Sequence, residues 1–157
     1  MPPHALRGLL IAAALLASGP VPAQEETADG ELVVEDAWAR ATPGAAAPGV
    51  AYFTVRNLGD APARLAGLRS EVAGAVTIHD TEVDEAGVAR MTPVPEAAIA
   101  PGEALTLEPG GLHAMLTDLA EPLVEGQTLP LTLSFDGGEE LSIGVPVLGL
   151  GARGPEG

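Results

Sequence analysis

Apolar and polar residues alternate with a period of two along much of this chain. The alternation is clearest near the C-terminus, on both sides of the turn formed by Asp136, Gly137 and Gly138. The apolar members of the two runs are Leu129, Leu131, Leu133, Phe135, Leu141, Ile143, Val145 and Val147. Period-two patterning is typical of β-strands that bury one face, so these runs predict two strands that line a core.

Shorter runs upstream have the same character and are separated by turns rich in Gly, Pro, Asn and Asp. They predict further strands at residues 32–40, 50–55, 64–69, 76–83, 88–94, 104–107 and 112–117. No segment beyond the N-terminal leader has a sustained helical period. About nine short strands with frequent turns predict an all-β fold, an antiparallel sandwich or barrel.

The N-terminus has the organisation of a secretory signal peptide. Arg7 precedes an unbroken run of residues without polar side chains, 8–17, and small residues follow as far as Ala23. The run is too short to span a bilayer, so we expect cleavage after Ala23, with a retained N-terminal anchor as the alternative. Residues 24–31 are then predicted to be a flexible lead-in, 32–148 the single domain and 149–157 a disordered, Gly-rich tail.

Net charge and the absence of cysteine exclude several classes of function. The formal net charge is −15, which repels phosphate backbones and anionic lipid, so we predict no nucleic-acid partner and no stable membrane association once the leader is removed. The chain has no Cys, which rules out a blue-copper electron-transfer centre, a thiol oxidoreductase and a Cys-based zinc site within it. Without a nucleophile motif among its few Ser and His residues, it is predicted not to be an enzyme.

The soft metal ligands are concentrated in one window. The whole chain has three His and three Met, and apart from Met1 and His4 of the leader they are His79, Met91, His113 and Met115. Singly, a Met is more often core filler, and a strand His is more often a surface or hydrogen-bonded residue. Jointly they favour a Cu(I) site, because imidazole suits copper and a thioether is a soft donor.

Strand geometry relates these four residues in pairs. His113 and Met115 are two apart on one predicted strand, so they share a face, while Leu112, Ala114 and Leu116 can face the core. For the hairpin that carries His79 and Met91, two registers remain open. A three-residue loop pairs Val83 with Gly87 and sets Met91 opposite His79; a four-residue loop pairs Val83 with Val88 and sets Met91 opposite Asp80.

The spacing His79-Asp80-x10-Met91-x21-His113-x-Met115 resembles the H(M)x10Mx21HxM signature of the periplasmic copper chaperones of the PCu(A)C family. Residues 36–43, 51–53, 57–59 and 109–115 also resemble segments of that family, and the likeness covers about 32–147. Two departures are evident. The optional second Met is Asp80 here, and the tail 149–157 lacks the His and Met of some relatives' C-terminal extension, which makes a second copper site doubtful.

The resemblance implies a cupredoxin-like β-sandwich in the periplasm with His79, Met91, His113 and Met115 as Cu(I) ligands. It also implies delivery of copper to the CuA centre of cytochrome c oxidase subunit II or to its assembly factors. Two alternatives remain: a copper-sequestering or uptake protein with the same site, and a metal-free β-sandwich scaffolding module in which the four residues coincide by chance.

Overall fold

A computed structural model describes residues 27–28 and 31–155 of the chain, and these residues form eleven β-strands. The strands are β1 Thr27–Ala28, β2 Leu32–Arg40, β3 Gly49–Asn57, β4 Ala63–Arg69, β5 Ala73–Val83, β6 Ala89–Pro93, β7 Ala97–Ile99, β8 Ala104–Thr106, β9 His113–Leu119, β10 Thr128–Phe135 and β11 Glu140–Leu148. The predicted signal peptide, 1–23, lies outside the described residues. The described part of the chain contains no helix long and apolar enough to cross a membrane.

Seven of the strands close into a barrel. The hydrogen-bonded path runs β2-β11-β10-β4-β5-β9-β3, and a further pairing between β3 and β2 closes the ring. The other strands extend it: β6 pairs with β5, β7 with β4, β8 with β3 and β1 with β2. All the pairings are antiparallel except that of β11 with β2, which is parallel. The all-β prediction is confirmed, with this single parallel pair as an addition to it.

The two C-terminal strands fill the barrel as their alternation predicts. Every second residue of β10 and β11, from Leu129 to Phe135 and from Leu141 to Val147, is buried, while the residues between them are partly or fully exposed. Burying a side chain of this size contributes about 1.5–3 kcal/mol. The same core receives Ala114 and Leu116 from β9, as the pattern of that strand predicts.

Asn57, the last residue of β3, connects the barrel to β7, a strand that the sequence pattern does not predict. Its Nδ2 donates to the carbonyl oxygens of Ala61 at 2.8 Å and Ile99 at 3.1 Å, and its Oδ1 accepts from Gly59 N at 3.0 Å. Ile99 belongs to β7, which has only three residues and is bounded by prolines, too short for its alternation to be recognised. The fully buried Asn57 is therefore a structural residue with all its polar atoms paired.

The C-terminal segment passes close to the outer surface of β2. Arg40 donates from Nε and Nη2 to the carbonyl oxygen of Ala152, at 3.1 and 2.8 Å, and its guanidinium also lies over the rings of Trp38 and Tyr52. The boundaries predicted for the lead-in, the domain and the tail stay predictions.

Candidate metal centre

The two histidines are cross-strand neighbours on adjacent strands of the barrel. His79 on β5 is directly opposite His113 on β9 in the antiparallel register of these strands. Their ring centroids are 6.0 Å apart and the ring planes are inclined by 23°. Because a metal–nitrogen bond is about 2 Å long, a separation of this size lets one ion reach both imidazoles.

The ring of His113 is held in one tautomer. Its Nδ1 lies 3.1 Å from the carbonyl oxygen of Gly111, and since a carbonyl only accepts, Nδ1 must carry the proton. Nε2 then has a free lone pair. The same carbonyl also accepts from the backbone N–H of Thr81 at 3.3 Å, which fixes it between the two strands. A second hydrogen bond of this kind is how metal-ligating histidines are usually oriented.

The Nε2 atom of His113 is buried and has no hydrogen-bond partner among the described residues. His113 is only 5% exposed, although it lies on the face of β9 opposite to the core residues Ala114 and Leu116. Leaving a buried acceptor unpaired costs about 1–3 kcal/mol. A buried nitrogen without a partner, on a ring whose centroid is 6.0 Å from that of another imidazole, is the arrangement expected of a metal ligand.

His79 is half-buried, and its Nδ1 lies 3.3 Å from the hydroxyl of Thr77, two residues earlier on the same face of β5. A hydroxyl can donate or accept, so this contact orients the ring without fixing the tautomer. With Nδ1 engaged by Thr77, Nε2 is the nitrogen that remains for a metal. Thr77 is thus a positioning residue for His79.

Met115 shares a face with His113, as their spacing predicts. It is half-buried and lies opposite Thr77 of β5 on one side and Val50 of β3 on the other. Its position is diagonal to His79, and diagonal neighbours in a sheet are about 7–8 Å apart, within reach of a long side chain. The closed barrel therefore brings together His79, His113 and Met115.

The hairpin of β5 and β6 adopts neither of the two predicted registers. Val83 pairs with Ala89, so the loop has five residues, 84–88, and both expected pairings of Val83 are wrong. The reason lies in Asp84, whose Oδ1 accepts from the backbone N–H groups of Ala86 and Val88 at 3.0 and 2.9 Å. This carboxylate stabilises a longer loop, which still places Gly87 in the left-handed conformation with φ of 79°.

The longer loop moves Met91 without changing its face. Met91 pairs with Thr81, while Pro93 pairs with His79. The shift relative to the three-residue loop is two residues, an even number, so Met91 stays on the His79 side of the hairpin, diagonal to it. Unlike the other three candidates it is exposed, at 58%, on a strand that is exposed throughout.

A metal ion bound here by more than two side chains would need a methionine sulfur as a ligand, in addition to the two imidazoles. Across 27–28 and 31–155, no group of three or more His, Cys, Asp or Glu side chains is arranged to hold an ion. Asp80 and Glu82 alternate with His79 and Thr81 on β5, so their side chains leave the opposite face. The face that carries the four candidates offers two imidazoles and two thioethers.

Two supporting groups were missed by sequence reasoning. Thr77 could have been found, because a period of two places it beside His79. The carbonyl of Gly111 carries no sequence signal, since a backbone oxygen becomes a partner of His113 only through the local conformation of the chain.

Comparison with known proteins identifies the family of this chain. Residues 32–147 match the family described as "Putative lipoprotein LpqE-like". The protein named "Putative lipoprotein Lxx21020" from Leifsonia xyli subsp. xyli is 32% identical over 150 residues, which cover 90% of this chain and 89% of that protein.

Solved structures with a similar fold are copper-related domains. The copper-bound PCuAC domain from PmoF2 has a TM-score of 0.66 at 27% identity, covering 80% of this chain and 99% of that domain. Apo-DR1885 from Deinococcus radiodurans has a TM-score of 0.60 at 29% identity, covering 95% and 94%. Its Cu(I) form, CuI-DR1885, has a TM-score of 0.56 at 29% identity, covering 76% and 81%. The chain therefore belongs to the LpqE-like family and has the fold of the PCuAC domains, as its resemblance to the PCu(A)C chaperones predicts.

Proposed function

We propose that this protein is an exported Cu(I) carrier that holds the ion with His79, His113, Met115 and Met91. The observation that carries the proposal is the buried, unpartnered Nε2 of His113, whose lone pair is fixed by the bond from Nδ1 to Gly111. It lies opposite a second imidazole, with a thioether on each side along the same face.

The donor set selects the metal. Two neutral imidazoles and two thioethers offer no anionic oxygen, so hard ions such as Ca²⁺ and Mg²⁺ have no counter-charge among them. Thioether sulfur favours Cu(I). The neighbours named as a copper-bound PCuAC domain and as CuI-DR1885 support the same ion.

The placement of the ligands favours transfer over permanent storage. Three candidates lie on the ladder of β5 and β9 or next to it, and that ladder is part of the closed barrel. The fourth, Met91, comes from an exposed edge strand that pairs only with β5. An incoming ligand from an acceptor can replace this outermost thioether first, so the ion can move by stepwise ligand exchange.

The acceptor we propose is a copper-accepting protein such as the CuA domain of cytochrome c oxidase subunit II or one of its assembly factors. This step rests on the PCu(A)C resemblance, which the fold supports. Export is supported by the leader-like N-terminus and by relatives named as lipoproteins. We propose that the exported protein acts in the periplasm, the compartment that the PCu(A)C resemblance implies.

A Cu(I) titration against a competing chromophoric chelator tests the metal site. We expect tight one-to-one binding by the protein lacking residues 1–23, and its loss in the double variant His113→Leu/Met115→Leu. Leucine replaces both side chains with apolar groups of similar volume, so the fold should survive, and thermal unfolding checks this. Thr92→Val is the matched control, because Thr92 is on β6 next to Met91 but on its other face. Absence of Cu(I) binding by the wild type would favour the metal-free scaffold instead.

A second experiment separates a carrier from a sequestering protein. The Cu(I)-loaded protein is mixed with an apo CuA domain, and the copper content of each is measured after separation. Transfer supports delivery to this acceptor. Full retention of copper by the loaded protein, despite a vacant acceptor, would favour the sequestering alternative.

A further inference from the structure

The two candidate sulfur ligands differ sharply in their exposure to solvent. Met91 is 58% exposed, and all five residues of its strand, β6, are exposed. Met115 is half-buried, with Val50 and Thr77 as its neighbours across the sheet. Since the chain has no Cys and its third Met is Met1, Met91 is the most accessible sulfur atom of the described residues.

We propose that Met91 is a site of selective oxidation to methionine sulfoxide by hydrogen peroxide, and that this modification lowers the affinity of the centre for Cu(I). The selectivity depends only on exposure. The effect on affinity rests on the function proposed above.

The reaction turns one of the two lone pairs of the thioether sulfur into an S–O bond and leaves the other a weaker donor to a metal. A lone pair of the thioether sulfur attacks one peroxide oxygen, and the O–O bond breaks as the S–O bond forms. The proton of the attacked oxygen is transferred to the departing hydroxide, which leaves as water. The sulfur is oxidised by two electrons and the peroxide is reduced by two. The product is a polar sulfoxide that reductases can convert back to the thioether. Its oxygen is a harder donor than the thioether, so it suits Cu(I) poorly.

The fold tolerates this change at Met91. The new S–O group points into water, where a polar atom costs little to accommodate. The backbone pairing of Met91 with Thr81 does not involve the sulfur. At the half-buried Met115, the same oxygen would have to be placed beside Val50. Oxidation of Met91 therefore changes the site while leaving the barrel intact.

Hydrogen peroxide also suits the electrostatics of this molecule. The net charge of −15 repels anionic oxidants, whereas a neutral peroxide approaches without that penalty. The hairpin face around Met91 also carries no carboxylate or guanidinium group, because its same-face neighbours are His79, Thr81, Val83, Ala89 and Pro93.

Peptide mass spectrometry after a timed exposure of the metal-free protein to hydrogen peroxide tests the selectivity. We expect Met91 to gain one oxygen atom at least about tenfold faster than Met115, because oxidation follows exposure. Equal rates, or faster oxidation of Met115, would overturn the proposal. Guanidinium-unfolded protein is the control, in which the two rates should converge.

Cu(I) titration of the oxidised protein tests the consequence. We expect an affinity at least about tenfold below that of untreated protein, close to that of Met91→Leu, and recovery after treatment with methionine sulfoxide reductase. Met91→Leu itself should be insensitive to peroxide, and Met115→Leu should remain sensitive. If Met91→Leu binds Cu(I) weakly but the fully oxidised wild type keeps its affinity, the proposed effect of oxidation on Cu(I) binding is wrong. If Met91→Leu binds Cu(I) as tightly as the wild type, Met91 is not a ligand, and only its selective oxidation remains supported.

Discussion

Gly111 accepts a hydrogen bond from His113 through its backbone carbonyl, so the free nitrogen of a buried histidine is selected by the main chain. The acceptor is held in turn by the N–H of Thr81 from the neighbouring strand. The acceptor is a backbone atom, so it does not depend on the side chain of any residue. The orientation of His113 is therefore built into the pairing of β5 and β9.

This relationship predicts the tautomer of His113 in the metal-free protein. We expect the neutral ring to carry its proton on Nδ1, because that atom faces a carbonyl that can only accept. Long-range proton–nitrogen correlation spectra at a pH where the ring is neutral distinguish the two nitrogens. On addition of Cu(I), the Nε2 resonance should shift most. A protonated Nε2 in the metal-free state would contradict the arrangement.

Thr77→Val tests whether the hydroxyl beside His79 supports the site. Valine keeps the shape of threonine and its preference for strands but removes the oxygen that lies 3.3 Å from His79 Nδ1. Loss of a partner that orients a ligating histidine typically lowers metal affinity about 10–100-fold, and this long, exposed bond should fall at the low end. Competition titration with Cu(I) measures the change, and Thr92→Val on the far face of the hairpin should leave affinity unaltered.

Asn57→Ala should destabilise the barrel without touching the candidate ligands. The substitution leaves the buried carbonyl of Ile99 without its partner and also removes the part-buried bonds to the carbonyl of Ala61 and the N–H of Gly59. A buried group left unpaired costs about 1–3 kcal/mol, so the free energy of unfolding should fall by at least about 1 kcal/mol. Urea denaturation measures it. The folded fraction should still bind one Cu(I), and a variant as stable as the wild type would contradict the structural role of Asn57.

Period-two reasoning from the sequence located most of the barrel and the shared face of the candidates. His113 and Met115 had to lie together because they are two residues apart, and Ala114 and Leu116 had to point into the core. That inference needs only the pleat of a strand, which does not depend on the rest of the fold. For the same reason Met91 kept its face when the register moved by two residues.

The hairpin register and the burial of His113 depended on interactions that a linear pattern does not contain. The register follows from Asp84, whose carboxylate oxygen accepts hydrogen bonds from two amides of the loop, whereas the registers predicted from the sequence have loops of three and four residues. The burial of His113 follows from strands that meet only when the barrel closes, since β5 and β9 are separated by three other strands in the chain. The candidate ligands could be predicted from residue type and spacing, whereas their burial and pairing depend on long-range contacts made when the barrel closes.

Asp84→Ala tests whether the loop of the β5–β6 hairpin positions Met91. It removes the carboxylate that stabilises the loop and changes none of the candidate ligands. Removal of the carboxylate frees the N–H groups of Ala86 and Val88, and the loss of such a side-chain cap costs about 0.5–2 kcal/mol locally. We expect faster amide exchange in β6 and weaker Cu(I) binding, since Met91 is then delivered less often to the side of His79. Asp84→Asn is the matched control: it keeps an oxygen at the same place and should retain most of both properties. If Asp84→Ala loosens the hairpin while Cu(I) affinity stays at the wild-type value, Met91 is not a ligand, and the ion is held by His79, His113 and Met115 alone.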